Sequence, residues 1–541
     1  MESKIYNKKY YLVLFSCALI LGMSTLILTT IHPVSWPSTA SLPGVVNMID
    51  TSKLSEDFFA KSSQGSPTII FQKLLFYVSY VTEHDPIKAM VVLGSIVSFF
   101  YFPLFFLITQ KGLENLVLQL RFDKQSKKLM PIISLGLTFC IFIFFIIFQD
   151  AVNNRFTNMM WPPILLNPNA YIVSMLLGIG GALLSVRNRY FCVLLLSISC
   201  LIHPTMGFFT AVFCFLLLSN FSSNLITLKN IALFFIPILL VYIFLLIYYP
   251  QSTMSVHDFI EIYIYQRHPH HYLISTSFQK KQWLIVLVTL LAETGILILA
   301  RNKMWINSLL ALVLLALVPP IHYFFTEIYQ IKIIAIFGFT RFFTFAVFLI
   351  IFFGLAAFLS LLALLNQYWK GLNRAIVICE RIVFSYQNIC IGSIILLMAA
   401  SALLVNYVHR ELIFTDNSIN AFNNKYQNIL YEIPDSSVVM MLDEDDFHFG
   451  LFGKKNLYST EAFPFSELQF FEYADRRRIF QNCEKNLSIN SLVDAKNQYK
   501  LDYLLMKRER LSKLPGAIPV AENDNLVLIN VKEYLKNKSY L

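Results

Sequence analysis

The sequence predicts an all-α polytopic membrane protein of about eleven transmembrane helices with a small C-terminal α/β domain. Three observations predict it. Of 541 residues, 56% are hydrophobic and 14% charged, against about 25% charged in an ordinary soluble domain. Mean hydropathy is +0.60, and such a pool cannot cover a water-facing surface, which excludes a soluble enzyme, a disordered chain and a coiled coil. Apolar runs long enough to cross a bilayer recur along the chain, and the composition changes abruptly after residue 407.

A span needs about 20 apolar residues. Runs at 11–30, 88–109, 131–149, 169–186, 231–249, 283–300, 334–365 and 389–406 qualify, and 305–321 is a shorter one ending at Pro319-Pro320. The run 190–220 is long for one helix and contains His203-Pro204. Proline removes an N–H and disfavours helix at the residue before it, so two short helices meeting near one membrane face are expected. Segment 11–30 lacks a small-residue cleavage site and is read as an uncleaved first helix.

Charge orients these spans. With eleven spans and a cytoplasmic N-terminus, sixteen Lys and Arg fall in short cytoplasmic loops and eight in longer loops on the opposite side. Ten spans would put Arg301, Lys303, Lys370, Arg374 and Arg381 outside. Eleven satisfies the positive-inside rule and places the tail outside the cytoplasm. The net charge of +10 therefore belongs to orientation, not to nucleic acid, and no nucleic-acid partner is expected. The eight cysteines lie mostly in apolar runs without paired spacing and read as small hydrophobes.

From 408 to 541 no run could span. Short β-type runs (Ser437–Leu442, Asp502–Met506, Asn525–Val531) alternate with helical or turn-rich stretches such as Phe465–Arg478, the pattern of a small α/β domain.

Polar residues gather in the outer loops. Loop 31–87 carries Asp50, Glu56 and Asp57, with Ser55 able to cap a helix beginning at Glu56. The trio reads either as a solvated, capped helix or as a general base or divalent-cation ligand (Mg or Mn) near the membrane face. Loop 250–282 carries Arg267-His268-Pro269-His270-His271-Tyr272. The motif reads as a zinc ligand set, as a site for phosphate or sugar, or as a structural interfacial loop; neither HExxH nor a cysteine set accompanies the histidines, and Arg267 with the imidazoles suits phosphate oxygens. Arg341 falls within the run 334–365. An ionisable side chain there either snorkels to the interface or binds an anion such as a lipid phosphate. His203 and His322 stand beside prolines at outer helix ends, where packing or capping is their ordinary use. The triplet Arg476-Arg477-Arg478 reads first as a solvated helix face, and otherwise as the contact of an interaction module or a guide for an anionic acceptor.

This layout resembles the GT-C superfamily of membrane glycosyltransferases: a cytoplasmic N-terminus, a long first outer loop with acidic residues, 8–14 spans and an outer tail. Bacterial polytopic proteins of this type are similar at Leu42-Pro-Gly with Asp50 and Leu54-Ser-Glu56-Asp57-Phe58-Phe59, at His203-Pro204 with Gly207, at Pro269–His271, and at Arg341. Their tails resemble Ile433-Pro-Asp-Ser-Ser-Val-Val, Ala462-Phe-Pro-Phe, Ala474-Asp-Arg476-Arg477 and the Asp502-Tyr503 strand. The resemblance implies a transferase of the cell envelope, in the bacterial inner membrane. It would use a polyprenyl-phosphate-linked sugar donor and a glycan, lipid or protein acceptor. Asp57, with Glu56 and Asp50, would be catalytic; Arg267, His268, His270, His271, Arg341 and His203 would bind the substrate. The tail lacks the WWD-type acceptor motif of oligosaccharyltransferases. A transporter or flippase of a lipid-linked or anionic substrate, with Glu293 as an intramembrane acid, and a non-catalytic assembly protein are the alternatives.

Overall fold

The computed structural model describes residues 42–63, 69–119, 170–185, 188–219, 224–248, 254–267, 272–277, 280–368, 416–443, 453–459, 469–523 and 525–538, with short pieces at 15–23, 34–35, 393, 413–414 and 449–450. The expected spans at 11–30, 131–149 and 389–406 lie wholly or largely outside them.

Among the described residues up to 368, the elements are helical apart from one short strand. A two-residue strand β1 (Val34–Ser35) precedes α1 (Leu42–Ile49), α2 (Phe58–Ser63), α3 (Ile69–Tyr80) and α4 (Pro86–Gln119). Then come α5 (Ala170–Leu184), α6 (Arg189–Ile202), α7 (Pro204–Leu218), α8 (Asn224–Tyr248), α9 (Lys280–Leu299), α10 (Trp305–His322), α11 (Lys332–Phe337) and α12 (Ala346–Tyr368). Among the described residues, three helices are long and apolar enough to cross a membrane: Pro86–Leu113, Trp305–Ile328 and Ala346–Leu365. Six shorter apolar helices accompany them, including α5, α6 and α7.

Proline and glycine explain why several are short. The run 190–220 breaks at His203, whose backbone is extended (φ −150°, ψ 98°), and Pro204 opens α7 at a position where its missing N–H costs nothing. The two helices then pack at once, because Gly207 brings its backbone against Cys200: a Cβ there would lie 2.7 Å from the Cys200 Cα. Ser174 on α5 seals the break, its hydroxyl donating to the Ser199 carbonyl at 2.8 Å. Two sequence expectations need correction. The run 334–365 is not one span. Gly338, at φ +59°, ends α11 in the left-handed conformation that a side chain would oppose, and a 3₁₀ segment (Phe339–Phe345) precedes α12. Arg341 therefore sits in a break, not inside a span. The run 305–321, conversely, does not stop at Pro319-Pro320: α10 continues to His322 and widens into a π-helical turn, Tyr323–Ile328. Two consecutive missing N–H groups loosen that turn without ending it.

The helix ends sort into two sets. At one end Asn307 donates to the carbonyls of Leu216 and Ser219, and Asn302 to Ser360 Oγ. At the other, His203, Tyr272, His322 and Arg341 meet.

Residues 416–538 build a mixed five-stranded sheet. β3 (Val438–Met441) lies between β4 (Asn456–Leu457) and β5 (Tyr503–Lys507), parallel to both. Two antiparallel strands follow, β7 (Leu526–Asn530) beside β5 and β6 (Pro519–Glu522) at the edge. Alternation divides the side chains: Val438, Met440, Leu504, Met506, Val527 and Ile529 enter one core, Val439, Met441, Leu505 and Leu528 another. Helix α13 (Asp416–Tyr431) covers the second face; α14 (Phe470–Lys485), α15 (Ile489–Gln498) and α16 (Val531–Asn537) cover the first. Both faces being buried, the central strands β3, β5 and β7 are largely apolar. The expected strands are present within one or two residues; within the stretch Phe465–Arg478, helix α14 begins at Phe470, and residues 465–468 lie outside the described residues. A short strand β2 (Ile413–Phe414) pairs antiparallel with β1, so the chain entering this unit runs beside the first loop.

Candidate functional site

The first loop and the tail are joined by a run of specific contacts. Leu54, at φ 53° with its side chain buried, turns the chain just before the acidic pair. Lys53 pairs with Asp435, which also receives Lys455 Nζ at 2.9 Å. The Glu56 N–H donates to Asn456 Oδ1 at 3.1 Å. Asp57 is 4% exposed, and both its oxygens are occupied: Oδ1 accepts the Ala60 N–H at 2.7 Å and Oδ2 the Leu457 N–H at 3.0 Å. The helix cap expected at Ser55 is therefore Asp57, and the helix starts at Phe58. Burial pushes the Asp57 carboxyl above its ordinary range, with the two amides opposing.

Arg476 completes the joint. Its guanidinium stands 5.2 Å from the Phe58 ring and 4.4 Å from the Tyr499 ring, donates to the Tyr458 carbonyl at 2.9 Å, and pairs with Glu472. The solvated face expected for 476–478 is thus corrected at its first member, which is buried; Arg478 is exposed and pairs with Asp475. Nothing in the sequence distinguishes the three arginines, since only the docking of α14 on Phe58 selects one.

The other two acids are more open. Asp50 is exposed and accepts from the Ser52 hydroxyl and amide, which lower its pKa. Glu56 is half-buried and receives Lys61 Nζ at 2.9 Å, a hydrogen bond that holds its carboxylate below the ordinary value. The three carboxylates do not converge. Among the described residues no three His, Cys, Asp or Glu side chains gather as a metal ion requires. The acidic trio as placed does not fit a divalent cation.

A second constellation lies at the same end. Arg341 Nη1 is 3.0 Å from His203 Nε2, and a guanidinium being donor-only, the imidazole nitrogen accepts. Arg341 Nη2 donates to the Tyr272 hydroxyl at 3.4 Å, and that hydroxyl is 2.9 Å from Tyr263 OH. Tyr171 on α5 meets His203 edge-on, with ring centres 6.0 Å apart. The four polar groups come from the α6–α7 break, the π-helical turn Ile260–Arg267, the segment after it, and the 3₁₀ break. His322 Nε2 lies 2.8 Å from the Tyr272 carbonyl, and Glu327 accepts the Ile274 N–H at 2.6 Å.

One apolar cluster joins the two constellations: Phe58, Phe259, Ile260, Tyr272, Phe470 and Tyr473 pack together. Of the expected site residues, the structure brings Arg341 and His203 together and places Glu56 and Asp57 at the tail joint, while Asp50 stands apart. His268, His270, His271 and the Arg267 side chain lie outside the described residues. Tyr263, Tyr272, Glu327 and Arg476 were not among the expected site residues. Tyr272 adjoins the Pro-His-His motif, but a search for charge passes over a tyrosine.

No protein-family model matches this chain, and no curated protein matches it significantly.

Proposed function

We propose that this protein is an integral membrane glycosyltransferase of the GT-C type, moving a sugar from a polyprenyl-phosphate-linked donor to an acceptor at the outer face of the membrane. One observation carries the reading: a half-buried arginine is set among imidazole and phenol groups, and its partner Tyr272 shares an apolar cluster with Phe58 of the loop that bears Glu56. Arg341, with His203 accepting from its guanidinium and orienting it, would hold the phosphate, where negative charge develops as the bond breaks. Glu56 would take the acceptor's proton. The acceptor oxygen attacks the anomeric carbon, the bond to the phosphate oxygen breaks, and its electron pair leaves with the phosphate. Direct displacement inverts the anomeric centre.

Asp57 has its oxygens occupied and little surface, so the reading gives it the joint and Glu56 the proton. Positioning of two membrane-bound reactants supplies much of the rate. Orientation is supported by the β1–β2 pair. Residues 34–35 and 413–414 lie side by side, so an even number of crossings separates them, the parity that eleven spans and an outer tail require.

Mass spectrometry of surface glycans and lipid intermediates, with and without the protein, tests the reading. Glu56→Gln and Arg341→Gln are each expected to lower transfer at least ~100-fold at normal abundance. An unchanged glycan profile on deletion would overturn the transferase. A transporter is favoured by one feature, the Glu293 side chain on α9, 7% exposed with an unpartnered Oε2. Movement of a lipid-linked substrate across reconstituted vesicles, with no glycosidic product, would support that reading instead.

A further inference from the structure

We infer that Tyr272 is the positioning residue of Arg341, and that the tail sets Tyr272 through the stack of Phe470 on Tyr263. The inference rests on the reading of Arg341 as a phosphate ligand.

Tyr272 is 2% exposed and is held at each of its parts. His322 Nε2 meets its carbonyl, and Glu327 takes the amide two residues on, with Ser275 as a further donor. Its ring lies against Gly338, where a Cβ would come within 2.9 Å of Cε1. That glycine therefore serves twice, ending α11 and admitting the ring. The hydroxyl meets Tyr263 OH at 2.9 Å and accepts from the Arg341 guanidinium at 3.4 Å. A buried phenol needs a partner for its polar tip, and here the partner is the cation to be aligned.

Tyr263 is fixed in turn by two rings. Phe470, in the first turn of α14, stacks on it with centres 5.6 Å apart and planes 4° from parallel; Phe259 lies on it at 5.1 Å. The contact path thus runs Phe470, Tyr263, Tyr272, Arg341, His203. The same helix α14 carries Arg476 over Phe58, beside the acidic pair. Seating the tail would align the guanidinium and the Glu56 loop together.

The test uses the full-length protein in lipid nanodiscs, with polyprenyl phosphate and the corresponding polyprenol as paired probes. The ratio of the two affinities isolates the phosphate contribution, which a loss of general packing does not move. Tyr272→Phe keeps the ring and is expected to shrink that ratio about tenfold, one charge-assisted hydrogen bond's worth. Phe470→Ala should shrink it as well, and Phe470→Tyr should restore it by restoring the stack. Arg341→Gln should abolish the preference for phosphate. If Arg341→Gln abolishes it while Tyr272→Phe leaves it at the wild-type value, the positioning role is overturned and the phosphate reading stands. A preference unaffected by Arg341→Gln overturns the phosphate reading itself. Equal weakening of both probes in Tyr272→Phe would show a structural role only, and also overturns the inference.

Discussion

Asp57 and Asp435 give the joint between first loop and tail opposite responses to pH. Burial raises the Asp57 pKa above 3.8, so the folded joint binds a proton there that the separated chain does not. That contribution is present at acid pH and falls as pH rises through the raised value. Asp435 is lowered to about 2 by Lys53 and Lys455, so its contribution is present above 3.8 and is lost as pH falls toward 2. Maximum stability of the joint is expected between these windows, read by limited proteolysis of the tail across pH. Asp57→Asn should remove the decline on the alkaline side and leave the acid limb unchanged; an unchanged alkaline limb would count against the assignment. Asp57 also shows where residue types stop informing. A carboxylate in an outer loop beside a second one reads as chemistry, and only the Leu457 amide, 400 residues along the chain, shows it in use as a joint.

At the scale of elements, breaks matter more than helices. The α6–α7 hairpin depends on Gly207, and Gly207→Val would force side-chain atoms into the Cys200 backbone, which cannot move aside. A loss on the order of 3 kcal/mol is expected, visible as a lower melting temperature of the solubilised protein, with Gly295→Ala as a neutral control because nothing lies within 4 Å of its Cβ position. The His203-Pro204 break is legible in the sequence because proline forbids the preceding helix. The Gly338 break is not, since a glycine amid Phe and Ile is tolerated in many helices. It becomes a stop through the left-handed conformation, and Tyr272 then occupies the space a side chain would need. Arg341 looked like a residue inside a span for that reason alone. The central tail strands were readable because both sheet faces are covered, which leaves uninterrupted apolar runs such as the four residues from Leu526 to Ile529.

For the whole molecule, the prediction is one of sidedness. A cysteine placed at Ile518, which is 76% exposed on the tail, should react with an impermeant maleimide from outside intact cells; one placed at Lys303, in the turn between α9 and α10, should react only after permeabilisation. Labelling of both positions from the same side would overturn the eleven-span orientation. The sidedness joins two independent facts, the distribution of Lys and Arg along the chain and the pairing of β1 with β2. Read alone, the sequence decides that the chain is largely apolar and helical, with segments apolar enough to cross a membrane, because hydropathy acts residue by residue. It cannot decide which polar groups meet. Arg341 finds His203 and Tyr272, and Asp57 finds Leu457, through contacts between distant segments, and those depend on how helices break and on where the tail docks.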